Sequence, residues 1–248
     1  MSQNNYDFER RFGGIAKLYG DEKLSIFQKS HVCIIGIGGV GSWLAESFAR
    51  HGVGEITLID MDHIVESNIN RQIQALDSTV GASKVEIMQS RLKDINPKIM
   101  INVIDDFLEE TNLEEYIDPN FHFVIDAIDQ VKVKIALAEF CLSKNISLLI
   151  MGGAGGRKNP SLIQIANLDK TFGDPLLSGI RKYLNKQKKF HGSSFELPTV
   201  FSPEKVIKPP VCEDQGDLKG LNCAGYGSSA NVTASFAFVA SSYVLNNL

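Results

Sequence analysis

At 248 residues, 44% apolar and 22% charged, the chain has the composition of one large α/β domain, or of such a domain with a modest appendage. A net charge of −4 excludes a uniformly basic nucleic-acid glove, so any nucleic-acid contact must come from local patches. The four cysteines, Cys33, Cys141, Cys212 and Cys223, include no Cys-x-x-Cys pair, which argues against a zinc knuckle, and the polar amino terminus carries no secretory signal, so a reducing, cytoplasmic setting is expected.

Residues 5–29 set apolar positions (Phe8, Phe12, Ile15, Leu18, Leu24, Phe27) among charges. Gly13, Gly14 and Gly20 break that pattern, predicting two short helices that cap the sheet or reach a second subunit. Residues 32–35 then form an apolar run of the length of a buried strand. Gly36, Gly38 and Gly41 follow in Gly-x-Gly-x-x-Gly spacing, with Gly39 between them, before an apolar-periodic helix through Trp43, Leu44, Phe48 and Ala49. A second strand over 55–59 ends on Asp60. Glycines let the backbone turn tightly beside a phosphate, the helix amino end offers unpaired N–H groups to the anion, and an acid about 20 positions on accepts from a ribose. Close packing alone is the other reading of such glycines. The unit specifies an adenine nucleotide and leaves dinucleotide and ATP both open.

Beyond it, a helix is predicted over 83–95, with Val85, Met88, Leu92 and Ile95 on one face and Pro97 ending it. A strand over 99–104, a short helix over 108–117 and a strand over 121–125 lead to Asp126 and Asp129. A helix over 131–144, a strand over 147–151, a glycine loop over 152–156 and a strand over 162–166 follow. This alternation predicts a Rossmann-like, doubly wound, mostly parallel sheet. From 169 to 221 the regular pattern fails: Arg181, Lys182, Lys186, Lys188 and Lys189 are followed by four prolines. A last helix is expected over 227–245. Its apolar stretch is interrupted by Asn231, Thr233, Ser235, Ser241 and Ser242 and falls short of the ~20 residues that span a bilayer, so it reads as a core helix and no membrane span is expected. The expected organisation is a helical segment 1–30, a nucleotide domain 31–168, an irregular substrate region 169–222 and a closing helical region 223–248.

Asp62, Asn68, Arg71 and Lys84 cluster just after the nucleotide unit, where ligands of open α/β sheets sit. A dinucleotide site needs a ribose acid and little further charge. A triphosphate calls for cations, which Arg71 and Lys84 supply. Asp129, at a strand end, suits Mg²⁺, which takes one or two carboxylates plus phosphate oxygens. Singly each reads as a surface charge; together they favour ATP over NAD.

The motifs Gly36-x-Gly38-Gly39-Val-Gly41-Ser42, Asp60-x-Asp62, Ser67-Asn68-x-x-Arg71-Gln72, Val80-Gly81-x-x-Lys84 and Asp126-x-x-Asp129 resemble, in order, those of the adenylating superfamily that includes MoeB, ThiF and the ubiquitin-activating enzymes. The resemblance covers about residues 10–168. It implies that the glycine loop, Asp60 and Asp62 bind ATP, that Asn68, Arg71, Gln72 and Lys84 contact its phosphates, and that Asp129 holds Mg²⁺. The implied reaction activates a carboxylate as an acyl-adenylate and releases pyrophosphate, with Arg71, Lys84 and Asp129 taking part.

Within the superfamily the chain is similar to the tRNA threonylcarbamoyladenosine dehydratases. The telling segments are Arg11-Phe-Gly-Gly-x-Ala-x-Leu-Tyr-Gly20, 124–129, the loop 152–156, Asp174-Pro175-Leu and Asn222-Cys223-Ala-Gly-Tyr-Gly227. This implies ATP-dependent dehydration of N6-threonylcarbamoyladenosine in tRNA to its cyclic form by a homodimer, with cysteine desulfurases or sulfur-relay proteins as potential partners. The rival is adenylation of the carboxyl terminus of a ubiquitin-like sulfur carrier, against which the missing Cys-x-x-Cys pairs count. The arginine that such enzymes extend into a partner's ATP site falls at Gly14, leaving Arg10 and Arg11 as substitutes. Cys223 is the candidate catalytic nucleophile by its place in the dehydratase motif, its thiol lowered in pKa ahead of a helix amino end. A small buried hydrophobe is the competing reading. The basic cluster 181–189 is a tRNA-contact candidate, with a solvated helix face as its alternative.

Overall fold

Short runs of branched apolar residues alternate with amphipathic helices, and a parallel sheet covered on both faces is the arrangement that buries both. The computed structural model describes residues 6–187, 196–208 and 226–248. Two helices, α1 (Phe8–Tyr19) and α2 (Asp21–Lys29), precede β1 (His31–Ile35). The chain continues through α3 (Gly41–Arg50), β2 (Glu55–Ile59), α4 (Lys84–Ile95), β3 (Met100–Ile104), α5 (Leu113–Tyr116) and β4 (Phe123–Asp126). It ends through α6 (Val131–Lys144), β5 (Leu148–Met151), β6 (Gln164–Asn167), α7 (Pro175–Lys186), β7 (Pro198–Phe201) and α8 (Ala230–Asn247).

The strand order is β3-β2-β1-β4-β5-β7-β6. All neighbours run parallel except the edge strand β6, which is antiparallel to β7. β1 has β2 on one side and β4 on the other, so connections leave it in opposite directions and a crevice opens beyond its carboxyl end. Beneath one face of the sheet, α3, α4 and α8 bury Leu44, Phe48, Met88, Phe236 and Val244, with Leu24 and Phe27 of α2 in the same cluster. On the other face, α5, α6 and α7 bury Leu113, Leu137, Cys141, Ile180 and Leu184 against Cys33 of β1. Of the polar interruptions of α8, Thr233 and Ser241 are buried, and Ser47 Oγ of α3 donates to Ser241 Oγ at 2.8 Å. No helix among the described residues is long and apolar enough to cross a membrane.

The expected mostly parallel sheet is present, with local corrections. Gly13 and Gly14 lie inside α1; the break comes at Gly20, whose φ of 88° few other residues adopt. The helix expected over 108–117 is a 3₁₀ turn (Glu110–Asn112) followed by the short α5. The closing helix begins at Ala230, three residues later than expected. The largest correction concerns the stretch from 169, which holds α7 and β7. Asp174 caps α7 by accepting from Leu176 N and Leu177 N, with Pro175 in the first turn. Leu176, Leu177, Ile180 and Leu184 form its buried stripe, which the basic residues between them obscure.

Candidate adenylation site

The carboxyl end of β1 turns sharply at Gly36 (φ 88°), where a Cβ would sit 2.9 Å from Ala127 O of the loop after β4. At Gly41 a Cβ would run into Gly36 O, so glycine is required at both ends of the turn. No side chain caps α3; Ser42 N donates to Gly38 O at 3.1 Å, so the amides that can meet an anion are those of the glycine turn just ahead of it. Asp60, just past β2, fastens this turn. Its Oδ2 accepts from Ile37 N at 2.6 Å and its Oδ1 from Asp62 N at 2.8 Å. Burial pushes the Asp60 carboxyl above the usual carboxylate range, opposed by the charge of Lys84 and by those two amides.

Lys84 opens α4 and is tied to Asp62 twice. Its Nζ lies 2.6 Å from Asp62 Oδ2, and its backbone N donates to Asp62 O at 3.1 Å. The lysine side chain is 7% exposed and the aspartate 54%, so the pair reaches from the interior to the cleft mouth. Arg71 lies across the glycine loop, and a Cβ on Gly39 would come 3.3 Å from its Cδ. Trp43 Nε1 donates to Arg71 O (3.0 Å), and Arg71 Nη1 donates to Ser67 O (2.6 Å) and Asn70 Oδ1 (3.1 Å). Burial lowers the Arg71 pKa, since a desolvated guanidinium favours losing its charge or gaining an anion.

These groups border a cleft of about 330 Å³. Gly38, Asp60, Arg71 and Lys84 border it on the β1–β2 side, Asp129 follows β4, and the loop 152–155 borders it past β5, with Leu176 and Tyr226 also in the lining. Gly36, Gly39, Asp62 and Gln72 also border it. Asn68 and Gly41 shape the wall from behind. Buried Asn68 accepts from Val65 N at 3.2 Å through Oδ1 and closes the turn that carries Arg71. Asp129 is half-buried, borders the cleft and has no hydrogen-bond or ion-pair partner among the described residues. Asp126, three residues earlier in the same motif, is wholly buried against Lys134 and does not reach the cleft.

Other candidates fall elsewhere. Cys212, Cys223, Lys188 and Lys189 lie outside the described residues. Arg181, half-buried, donates from Nη1 to Thr171 O (2.6 Å) and Oγ1 (2.7 Å). Lys182 and Lys186 remain exposed on α7. Arg11 donates to Ile95 O at 2.9 Å within its own chain, whereas Arg10 stands exposed. Sequence reading missed three positions. Gln74 Nε2 donates to Ile37 O (2.9 Å) and Gln72 Oε1 (3.2 Å), bracing the glycine turn. Asp174 Oδ2 accepts from Gly153 N (2.9 Å) and from Arg157 (3.2 Å), in a pair whose side chains are each 1% exposed. Lys134 is the third. The Asp174-Pro175 motif was a visible signal; Gln74 and Lys134 had none.

The ThiF family model matches residues 12–245. A tRNA threonylcarbamoyladenosine dehydratase of Haemophilus influenzae is 44% identical over 98% of this chain and 94% of its own length. The chain belongs to the ThiF family, among its tRNA threonylcarbamoyladenosine dehydratases. The dehydratase of Escherichia coli is 42% identical over 97% of this chain and 94% of its own. The crystal structure of the E. coli dehydratase in complex with ATP superposes with a TM-score of 0.87, covering 96% of this chain and 93% of that one. This ThiF-family chain therefore carries the family sheet, and its cleft lies at the reversal point where a nucleotide is expected.

Proposed function

We propose that this ThiF-family protein is a cytoplasmic enzyme that dehydrates N6-threonylcarbamoyladenosine in tRNA to its cyclic form, driven by ATP. The observation that carries this reading is the similarity to a dehydratase along 98% of the chain, well beyond the nucleotide-binding unit. Nothing of comparable weight favours adenylation of a carrier protein's carboxyl terminus.

The chain's own groups suit the chemistry. A carboxylate oxygen of the threonyl arm bonds to the α-phosphorus of ATP as the bond to pyrophosphate breaks. Arg71, Lys84 and the amides of the glycine turn border the cleft and stabilise the charge that develops on the leaving pyrophosphate. Each Asp60 oxygen already accepts one backbone N–H and keeps a further lone pair for a ribose hydroxyl. A nucleophile within the same side chain then attacks the acyl carbon, the ring closes and loses a proton, and AMP leaves with the carboxylate oxygen. One water is thereby removed from the nucleoside. Ring closure needs no thiol, whereas a relay through Cys223 would form and break a thioester.

Mg²⁺ fits one place. No group of three or more metal-ligating side chains occurs among the described residues, and Asp129 is an unpaired carboxylate facing the cleft. One protein carboxylate with phosphate oxygens is the usual Mg²⁺ arrangement, and the ion supplies neutralisation of phosphate charge. A homodimer and a sulfur-relay partner remain implications of the resemblance. For the homodimer, Leu18 of α1, 75% exposed, offers a surface to test.

The deciding experiment is nucleoside mass spectrometry of threonylcarbamoylated tRNA incubated with the protein, Mg²⁺ and ATP. Loss of one water that requires ATP and vanishes in Asp129→Ala is expected. Retained activity in Cys223→Ala would assign direct ring closure, and its loss the thioester relay. An unchanged nucleoside with wild-type protein and bound ATP would sink the reading.

A further inference from the structure

Beneath the cleft lies an ion pair that none of these roles uses. Asp126 is the last residue of β4 and Met151 the last of β5. From the first turn of α6, Lys134 Nζ reaches Asp126 Oδ1 at 2.9 Å, Asp126 O at 3.1 Å and Met151 O at 2.9 Å. Both side chains of the pair are 0% exposed. Three acceptors take all three protons of the ammonium group. Two of those acceptors are main-chain carbonyls at the point where neighbouring strands part. Past Asp126 the chain turns toward Asp129, a turn held by Ile128 N donating to Asp126 Oδ1 at 3.2 Å. Past Met151 the chain enters the loop 152–155, which also borders the cleft.

Stability alone is a poor reason for this arrangement. Replacing a buried ion pair by apolar residues of similar volume is often neutral or stabilising. Here the burial is also incomplete in its compensation, because Asp126 Oδ2 has no hydrogen-bond partner. What an apolar pair cannot do is tether two carbonyls to one atom.

We propose that Lys134 is a positioning residue for adenylation, with Asp126 as its counter-ion. By holding the ends of β4 and β5 together it fixes the span between Asp129 and the loop 152–155, across which nucleotide and carboxylate must meet. The proposal rests on the adenylating reading of the cleft.

The test is the double variant Asp126→Leu/Lys134→Met, assayed for thermal unfolding, for kcat and KM of ATP-dependent water loss, and beside wild type throughout. Expected are a Tm close to wild type, a KM for ATP within about threefold, and a kcat lower by about 100-fold, the usual cost of an ångström-scale misplacement. A double variant with wild-type Tm and a kcat within threefold would overturn the proposal and leave the pair a structural filler. Lys134→Arg provides a second variant, since it keeps a cation with several donors. It should recover at least tenfold of the lost kcat, and a folded Arg variant as slow as the double would also overturn the proposal. Inactivity of the wild type itself would instead refute the functional reading.

Discussion

The two walls of the cleft are held in different ways. On the phosphate wall each group is held by contacts that are exposed or only part-buried: Asp60 by Ile37 and Asp62, Lys84 by Asp62, Arg71 by Ser67 and Asn70. The opposite wall rests in part on buried charges. Lys134 holds Met151, Asp174 holds Gly153, Val200 O accepts from Gly152 N, and Gly227 O accepts from Gly156 N. Contacts open to solvent let a functional side chain change without loss of the fold. Removing one partner of a buried charge pair costs stability and geometry together.

The strongest way to test that contrast is Asp174→Ala. It removes the cap of α7, frees Gly153 N and leaves Arg157 buried without its counter-charge. A loss of about 3–5 kcal/mol is expected in urea unfolding, with activity falling in parallel. Arg71→Ala and Lys84→Ala probe the other wall. Each should lower kcat by roughly 10²–10³-fold, as loss of a charge-stabilising donor does, while Tm stays within a few degrees of wild type. AMP release and differential scanning fluorimetry together check both halves of that statement.

Asp60→Asn sharpens the comparison further, through its pH dependence. The Asp60 pKa is raised by burial, so between the ordinary carboxylate value and the raised one the native protein holds a proton that the unfolded chain has lost. Its contribution is full below the unfolded value and is lost as pH rises through the folded one. Relative to wild type, the asparagine variant should therefore gain in Tm from pH 4 to neutrality, from a lower start because its NH2 opposes one of the two backbone amides, and should bind ATP more weakly. An equal offset in Tm from wild type at both pH values would refute the assignment. The smallest effect is expected from charge reversal at Lys186, Lys188 and Lys189: unfolding free energy unchanged within about 0.5 kcal/mol, tRNA binding weakened and its salt dependence flattened. Filter binding across a salt series reads both.

The same contrast governs what could be read in advance. The glycine turn, Asp60, Lys84 and Asp129 could be placed at the cleft in advance because each follows a strand or opens a helix with a clear apolar pattern, whereas Arg71, in the turn after Asn68, could be placed only through its motif. β7 was not legible, because four residues beginning with Pro198 are too few to show a period. Asp129 stood out in the sequence, but nothing there marked its motif partner Asp126 as sealed against a lysine. Lys132 and Lys134 look alike in the sequence, yet one is exposed and the other wholly buried; only the packing of α6 on the sheet decides between them. Buried polar pairs joined over long separations leave no periodic trace.

The place of β7 bears on how the chain assembles. It follows β6 in sequence but slots between β5 and β6, and it is the neighbour through which β6 joins the sheet. On a ribosome the strands from β1 to β5 can pair in the order in which their partners emerge, whereas β6 must wait for residues 198–201. Until then the flank of β5 is bare main chain, the kind of edge that recruits stray strands. Late, non-local pairing of this sort is also the slow step of sheet formation. Because Val200 is what fastens Gly152, the loop 152–155 of a nascent chain settles only after residues 198–201 have emerged.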